Sequence, residues 1–146
     1  KMKEDLKIKG DVILTLTDES GNLKQRQEIK NLVVTDGLNY ISNKIVTSAT
    51  TMSRMAVGTG STAASAGQTT LVTELDRNTF SSVSASNGVC TFNAQWAAGD
   101  ATGAITEAGI FNAASGGDML CRTVFDTVNK AAGDSLAITW VVTISV

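Results

Sequence analysis

Ser135-Leu136-Ala137-Ile138-Thr139-Trp140-Val141-Val142-Thr143-Ile144-Ser145-Val146 decides the fold. Leu136, Ile138, Trp140, Val142, Ile144 and Val146 take every even position, while Ala137, Thr139, Thr143 and Ser145 take most of the odd ones. Such period-2 alternation predicts a long strand with one face buried. At roughly 3.3 Å per residue it spans about 40 Å. As the last stretch of the sequence, it is expected to pair with strands laid down earlier.

Residues 6–17 repeat the pattern through Leu6, Ile8, Gly10, Val12, Leu14 and Leu16. They read as a first strand that could pair centrally with the last, as in a jelly roll, with a barrel as the alternative because strand order is not encoded in these patterns. Asp18-Glu19-Ser20-Gly21-Asn22 reads as a hairpin turn, since it lacks the spaced ligands and distal Glu of a calcium loop. Residues 23–29 return as a second strand, extended through Leu32, Val33 and Val34. Thr35 or Asp36 is expected to cap a helix whose inner face carries Leu38, Ile41 and Ile45. Residues 54–57 form a short strand with Met55 and Val57 inward. The segment 58–70 is rich in Gly, Ala, Ser and Thr; Gly58 and Gly60 are not followed by the Gly-Lys-Ser/Thr of a phosphate loop. Residues 80–85 and 89–96 form a hairpin about Asn87-Gly88, the strongest short hairpin signal. Cys90, Phe92, Ala94 and Trp96 then face inward. Residues 104–111 and 119–125 form another hairpin around a Gly-rich loop. Many short strands, one helix and no βαβ alternation predict one all-β domain over residues 1–146, an antiparallel sandwich with a short helix.

Composition narrows the function. The net charge is −2 and the pI about 5.0, against a nucleic-acid binder. No apolar run approaches the ~20 residues of a membrane helix, and no signal-peptide pattern opens the sequence. Met2, behind Lys1, points to a trimmed or tagged start. With no histidine, the commonest general base and metal ligand is missing. Cys90 and Cys121 read as core thiols in preference to a disulfide, and their spacing is not that of a metal site. Serine catalysis would have to rest on Lys44 or Lys130, without a supporting motif. Among the acids, Glu74, Asp76, Glu107, Asp118 and Asp126 could place two carboxyls about 5–9 Å apart, as glycosidases do. Glu74 and Asp76 beside Arg77 look like a solvated or ion-paired loop, and Asp118 and Asp126 look like turn residues. Glu107 sits inside an expected strand, so it must be hydrogen-bonded or paired, with Arg77 or Arg122. The expectation is a non-enzyme with no catalytic, cofactor or metal residues.

Three stretches carry a resemblance. Asn31-Leu32-Val33-Val34-Thr35-Asp36-Gly37 precedes the helix; Ala56-Val57-Gly58-Thr59-Gly60 is followed by Thr69, Leu71, Glu74 and Arg77; Ile105-Thr106-Glu107-Ala108-Gly109-Ile110-Phe111 is followed by Met119-Leu120-Cys121-Arg122 and Gly133-Asp134-Ser135-Leu136. In this order they resemble small structural proteins of tailed-phage virions, especially capsid decoration (cement) proteins. The second half is also similar to tail-fibre attachment domains. The residues 6–29 are extra to the fibre pattern, and no shaft follows Val146, which favours decoration. The resemblance implies a protein on the virion surface, made in the host cytoplasm. It would reinforce the shell by binding the major capsid protein as a homo-oligomer (dimer or trimer), without nucleic acid, membrane or cofactor. Leu6, Ile8, Gly58, Gly60, Glu74, Arg77, Glu107 and Arg122 are the residues expected in structural or contact roles. The alternatives are a tail, collar or fibre-attachment component and, on the acids alone, a carbohydrate-binding or glycan-active module.

Overall fold

A computed structural model describes residues 5–146; Lys1 and Met2 lie outside the described residues. Among these are ten strands and one helix, in the order β1 (Lys7–Thr17), β2 (Leu23–Lys30), β3 (Leu32–Val33), α1 (Thr35–Val46), β4 (Arg54–Gly58), β5 (Glu74–Thr79), β6 (Ser82–Ser86), β7 (Val89–Trp96), β8 (Gly103–Phe111), β9 (Met119–Lys130) and β10 (Ser135–Ser145). They build two five-stranded antiparallel sheets, ordered β2-β1-β10-β7-β6 and β3-β9-β8-β4-β5. The expected all-β sandwich with one short helix is therefore what forms.

The two long amphipathic strands meet as their patterns require. β1 and β10 pair over their full lengths, with Leu14 opposite Ile138 and Val12 opposite Trp140. Even-numbered side chains from both enter the core together with Phe92, Ala94 and Trp96 of β7. The facing sheet contributes Met55, Val57, Ile105, Ile110 and Cys121. The turn at Asn87-Gly88 has positive φ at both residues, 51° and 79°, as a two-residue hairpin demands. Both cysteines are free, Cys121 buried and Cys90 half-buried.

Several boundaries differ from the sequence reading. Leu6 lies just outside β1 and is 69% exposed; its neighbour across the sheet would be Val146, itself 91% exposed, so the core ends there. β9 continues to Lys130, placing Asp126 in a strand and not in a turn. A register shift between Ile105 and Glu107 offsets β8 against β9 and hides the simple alternation. Glu74 and Asp76 likewise belong to a strand, β5.

The helix is rotated from its apolar stripe. Gly37 and Tyr40 are its buried residues, Ile41 is half-buried, and Leu38 and Ile45 are exposed. A Cβ on Gly37 would lie 2.1 Å from the Leu120 carbonyl oxygen, so the helix backbone rests directly on β9 at this point. Close backbone approach at the glycine outweighs the stripe and turns Leu38 outward. Neither Thr35 nor Asp36 caps the helix: the N-cap is Val34, with no side-chain cap bond. The Thr35 amide donates to the Ala66 carbonyl and Asp36 Oδ2 accepts from the Met119 amide, each at 2.8 Å, so both residues tie the helix to its neighbours.

Candidate functional site

The outer face of the β4–β8–β9 sheet is covered. Alternation sends Met55 and Val57 into the main core and Ala56 the other way. Ala56 there joins Val34, Leu71, Phe111 and Met119 in a second apolar cluster. The cover is the irregular segment 59–73 together with the start of α1.

Glu107 holds that segment down. It is fully buried, and among the described residues its two oxygens accept five hydrogen bonds. Oε2 takes the amides of Gly60 and Thr73 at 2.8 Å each. Oε1 takes the Val72 amide at 2.8 Å and Arg122 Nε and Nη2 at 3.1 and 3.0 Å. Arg122 is equally buried, and its Nη1 donates to Gln68 Oε1 at 3.0 Å. Gln68 Oε1 also accepts from the Ser65 amide, and Thr106 Oγ1 donates to the Gly60 carbonyl. A buried carboxylate is tolerated only when paired and hydrogen-bonded, and here charge and hydrogen bonds are matched.

The glycines follow from the carboxylate. A Cβ on Gly58 or Gly60 would stand 2.6 or 2.5 Å from Glu107 Oε2. Any side chain there would push the loop off its anchor. The partner of Glu107 is thus Arg122, not Arg77.

Arg77 has separate work. Its guanidinium lies 3.8 Å above the Phe111 ring, is gripped by both oxygens of Glu74, and donates to the Ala113 and Gly116 carbonyls at 2.9 Å each. It closes the Gly-rich loop of the β8–β9 hairpin over the second cluster. Among the expected site residues, Gly58, Gly60, Glu107 and Arg122 meet in one buried network. Glu74 and Arg77 form its rim. Leu6 and Ile8 lie elsewhere, lining a shallow apolar recess with Leu38.

Other charged residues are structural as well. Lys130, 2% exposed, donates to the Ala97 carbonyl, and burial pulls its pKa down. Lys44 reaches the Ala49 carbonyl. Asp134 accepts from Lys24 at 2.7 Å and from the Ala131 amide; these bonds hold its carboxyl below the usual range. Asp36 is shifted upward by burial, with Asp118 adding repulsion against the lowering bond from Met119.

Some partners were not legible in the sequence. Asn31 Oδ1 accepts from Trp140 Nε1 at 3.1 Å, across space that a side chain on Gly10 would fill. Gln68, the one long polar side chain in a run of small residues, was the available hint of a buried contact.

Fold and site define a β-sandwich in which a buried Glu–Arg pair clamps an irregular loop onto one sheet. No family model matches the chain, and neither a curated protein nor a solved structure matches it. Among the described residues, no cluster of three or more acids or cysteines is arranged to hold a metal, and no helix is long and apolar enough to cross a membrane.

Proposed function

We propose that the chain is a structural protein of a tailed-phage virion, a decoration protein that binds the major capsid protein and reinforces the shell. One observation carries this reading. The stretches that resemble phage virion proteins are far apart in sequence, yet they converge on one buried framework. Gly37 rests on Leu120, Gly58 and Gly60 flank Glu107, Arg77 covers Phe111, and Glu107 pairs with Arg122. Glu107, read from the sequence as a paired structural residue, has both oxygens occupied by fixed donors, which weighs against the glycan-cleavage alternative.

Cryo-electron microscopy of purified particles tests the reading. Density for the sandwich repeated over the capsid lattice is the expected result. Density only at the tail or collar would move the assignment to the fibre-attachment alternative, which the Ile105–Phe111 strand motif supports. Absence of the protein from particles would overturn both.

A further inference from the structure

Four strands form the edges of the two sheets: β2 and β6 of one, β3 and β5 of the other. Natural edges are usually blunted by charge, proline or shortness, because unpaired backbone groups recruit other strands. Three of these four are blunted. β2 carries Lys24, Arg26, Glu28 and Lys30; β5 carries Glu74, Asp76 and Arg77; β3 has two residues. The remaining edge, β6, reads Ser82-Val83-Ser84-Ala85-Ser86, has no charge, and is exposed at every position.

We propose that β6 is a self-pairing edge, joining two copies of this chain antiparallel across a twofold axis at Ser84. The sequence of β6 reads almost the same in both directions. Paired with itself, it sets Val83 opposite Ala85 of the second copy and serine opposite serine, with no like charges to repel. An isologous interface needs this self-complementarity, whereas an unrelated strand would not. The hairpin fixes the direction of the backbone groups. Ser86 and Val89 close a two-residue turn, so Ser84 and Ser86 bond to β7 and the amides of Val83 and Ala85 point outward.

The side chains agree. Val83 and Ala85 line a mostly apolar groove of about 410 Å³ between β6 and α1, with Tyr40, Ile41 and Ile144. Val83 is 57% exposed, and Ile45, one turn beyond Ile41, is 79% exposed. Joining two β6 strands brings the two grooves together beneath one continuous sheet and covers Val83 and Ala85. This inference stands on the edge alone, independently of the virion reading.

Sedimentation velocity on the whole chain at micromolar concentration tests it. The expected result is a dimer that Val83→Lys and Ala85→Pro each convert to monomer. Circular dichroism checks that each variant remains folded; Val83→Lys alters a side chain more than half exposed at the groove rim, so it decides the matter if Ala85→Pro does not fold. A second measurement fixes the register. Ser84 faces its own copy in a non-hydrogen-bonded pair, with Cα atoms about 4.5 Å apart, within disulfide reach. In a Cys90→Ser background, Ser84→Cys should give a disulfide-linked dimer on mild oxidation, and Ser82→Cys, which faces Ser86, should not. A monomeric native chain, a trimer, or a dimer indifferent to Val83→Lys overturns the proposal, as does failure of Ser84→Cys to cross-link.

Discussion

The two sheets are stabilised differently. In the β1–β10 sheet, burial alternates along the two long central strands, one face in the core and one toward solvent. In the facing sheet, β4 and β8 are buried almost throughout, because a loop and a helix end cover the outer side. The first sheet needs only apolar side chains at every second position. The second needs a device to hold an irregular cover, and that device is ionic and hydrogen-bonded. Alternation thus marks a sheet open on one face, whereas a charged residue inside an apolar strand marks a covered one.

The most damaging way to break this contrast is Glu107→Ala. It leaves Arg122 charged, buried and unpaired, which costs roughly 3–5 kcal/mol. Urea unfolding measures the loss, and limited proteolysis should find new cleavage within residues 61–70. Replacing both partners, Glu107→Leu with Arg122→Met, should restore part of the stability but not the protection of the loop. A loss under about 1 kcal/mol for Glu107→Ala would mean that the pair does not hold the cover.

Leu14→Ala probes the other sheet. It removes a fully buried side chain and should cost about 2–5 kcal/mol. Here the loss should be global: lower stability with the 59–73 loop as protected in the native state as before. Loop cleavage in this variant under native conditions would erase the distinction between the sheets.

Gly60→Ala should cost about 1–3 kcal/mol, since its Cβ would collide with both Glu107 Oε2 and Val72 Cβ. Its unfolding should be less cooperative with loop cleavage if Glu107 is rebuilt as Gln in the same chain. Thermal unfolding and proteolysis together read this out.

The smallest effects are in pH dependence. Asp134 has its folded pKa depressed by Lys24 and Ala131, so its contribution is present above the unfolded pKa near 3.8 and is lost as pH falls through the folded value. Asp134→Asn should flatten the acid limb of the stability curve. Asp36 is raised, chiefly by burial, so its contribution has the opposite sign: present below the unfolded value and lost as pH rises through the folded one. Asp36→Asn should remove that loss and keep an acceptor for the Met119 amide. Denaturant melts between pH 3 and 7, a range spanning about the carboxylate values, give both slopes.

The readable part of the molecule was the part with local periodicity. The β1–β10 alternation and the Asn87-Gly88 turn each specify their geometry within a few neighbouring residues. Glu107 was also legible as a residue that must be paired, because a carboxylate inside an apolar strand has few other options. The choice between Arg77 and Arg122 was not legible, since it depends on the strand register in β8 and β9, which a bulge shifts. Nor was the helix face: Leu38, Ile41 and Ile45 form a proper stripe, yet the Leu120 carbonyl admits only the backbone of Gly37.

By itself, the sequence determined that the chain is β-rich, with two long strands, 6–17 and 135–146, that each have one face to bury. Period-2 burial is a property of each strand before any partner is found. Only the tertiary structure decided which loop the buried carboxylate holds, which arginine neutralises it, and which edge is left without charge. Those depend on distances between segments remote in the chain, and no local pattern encodes them.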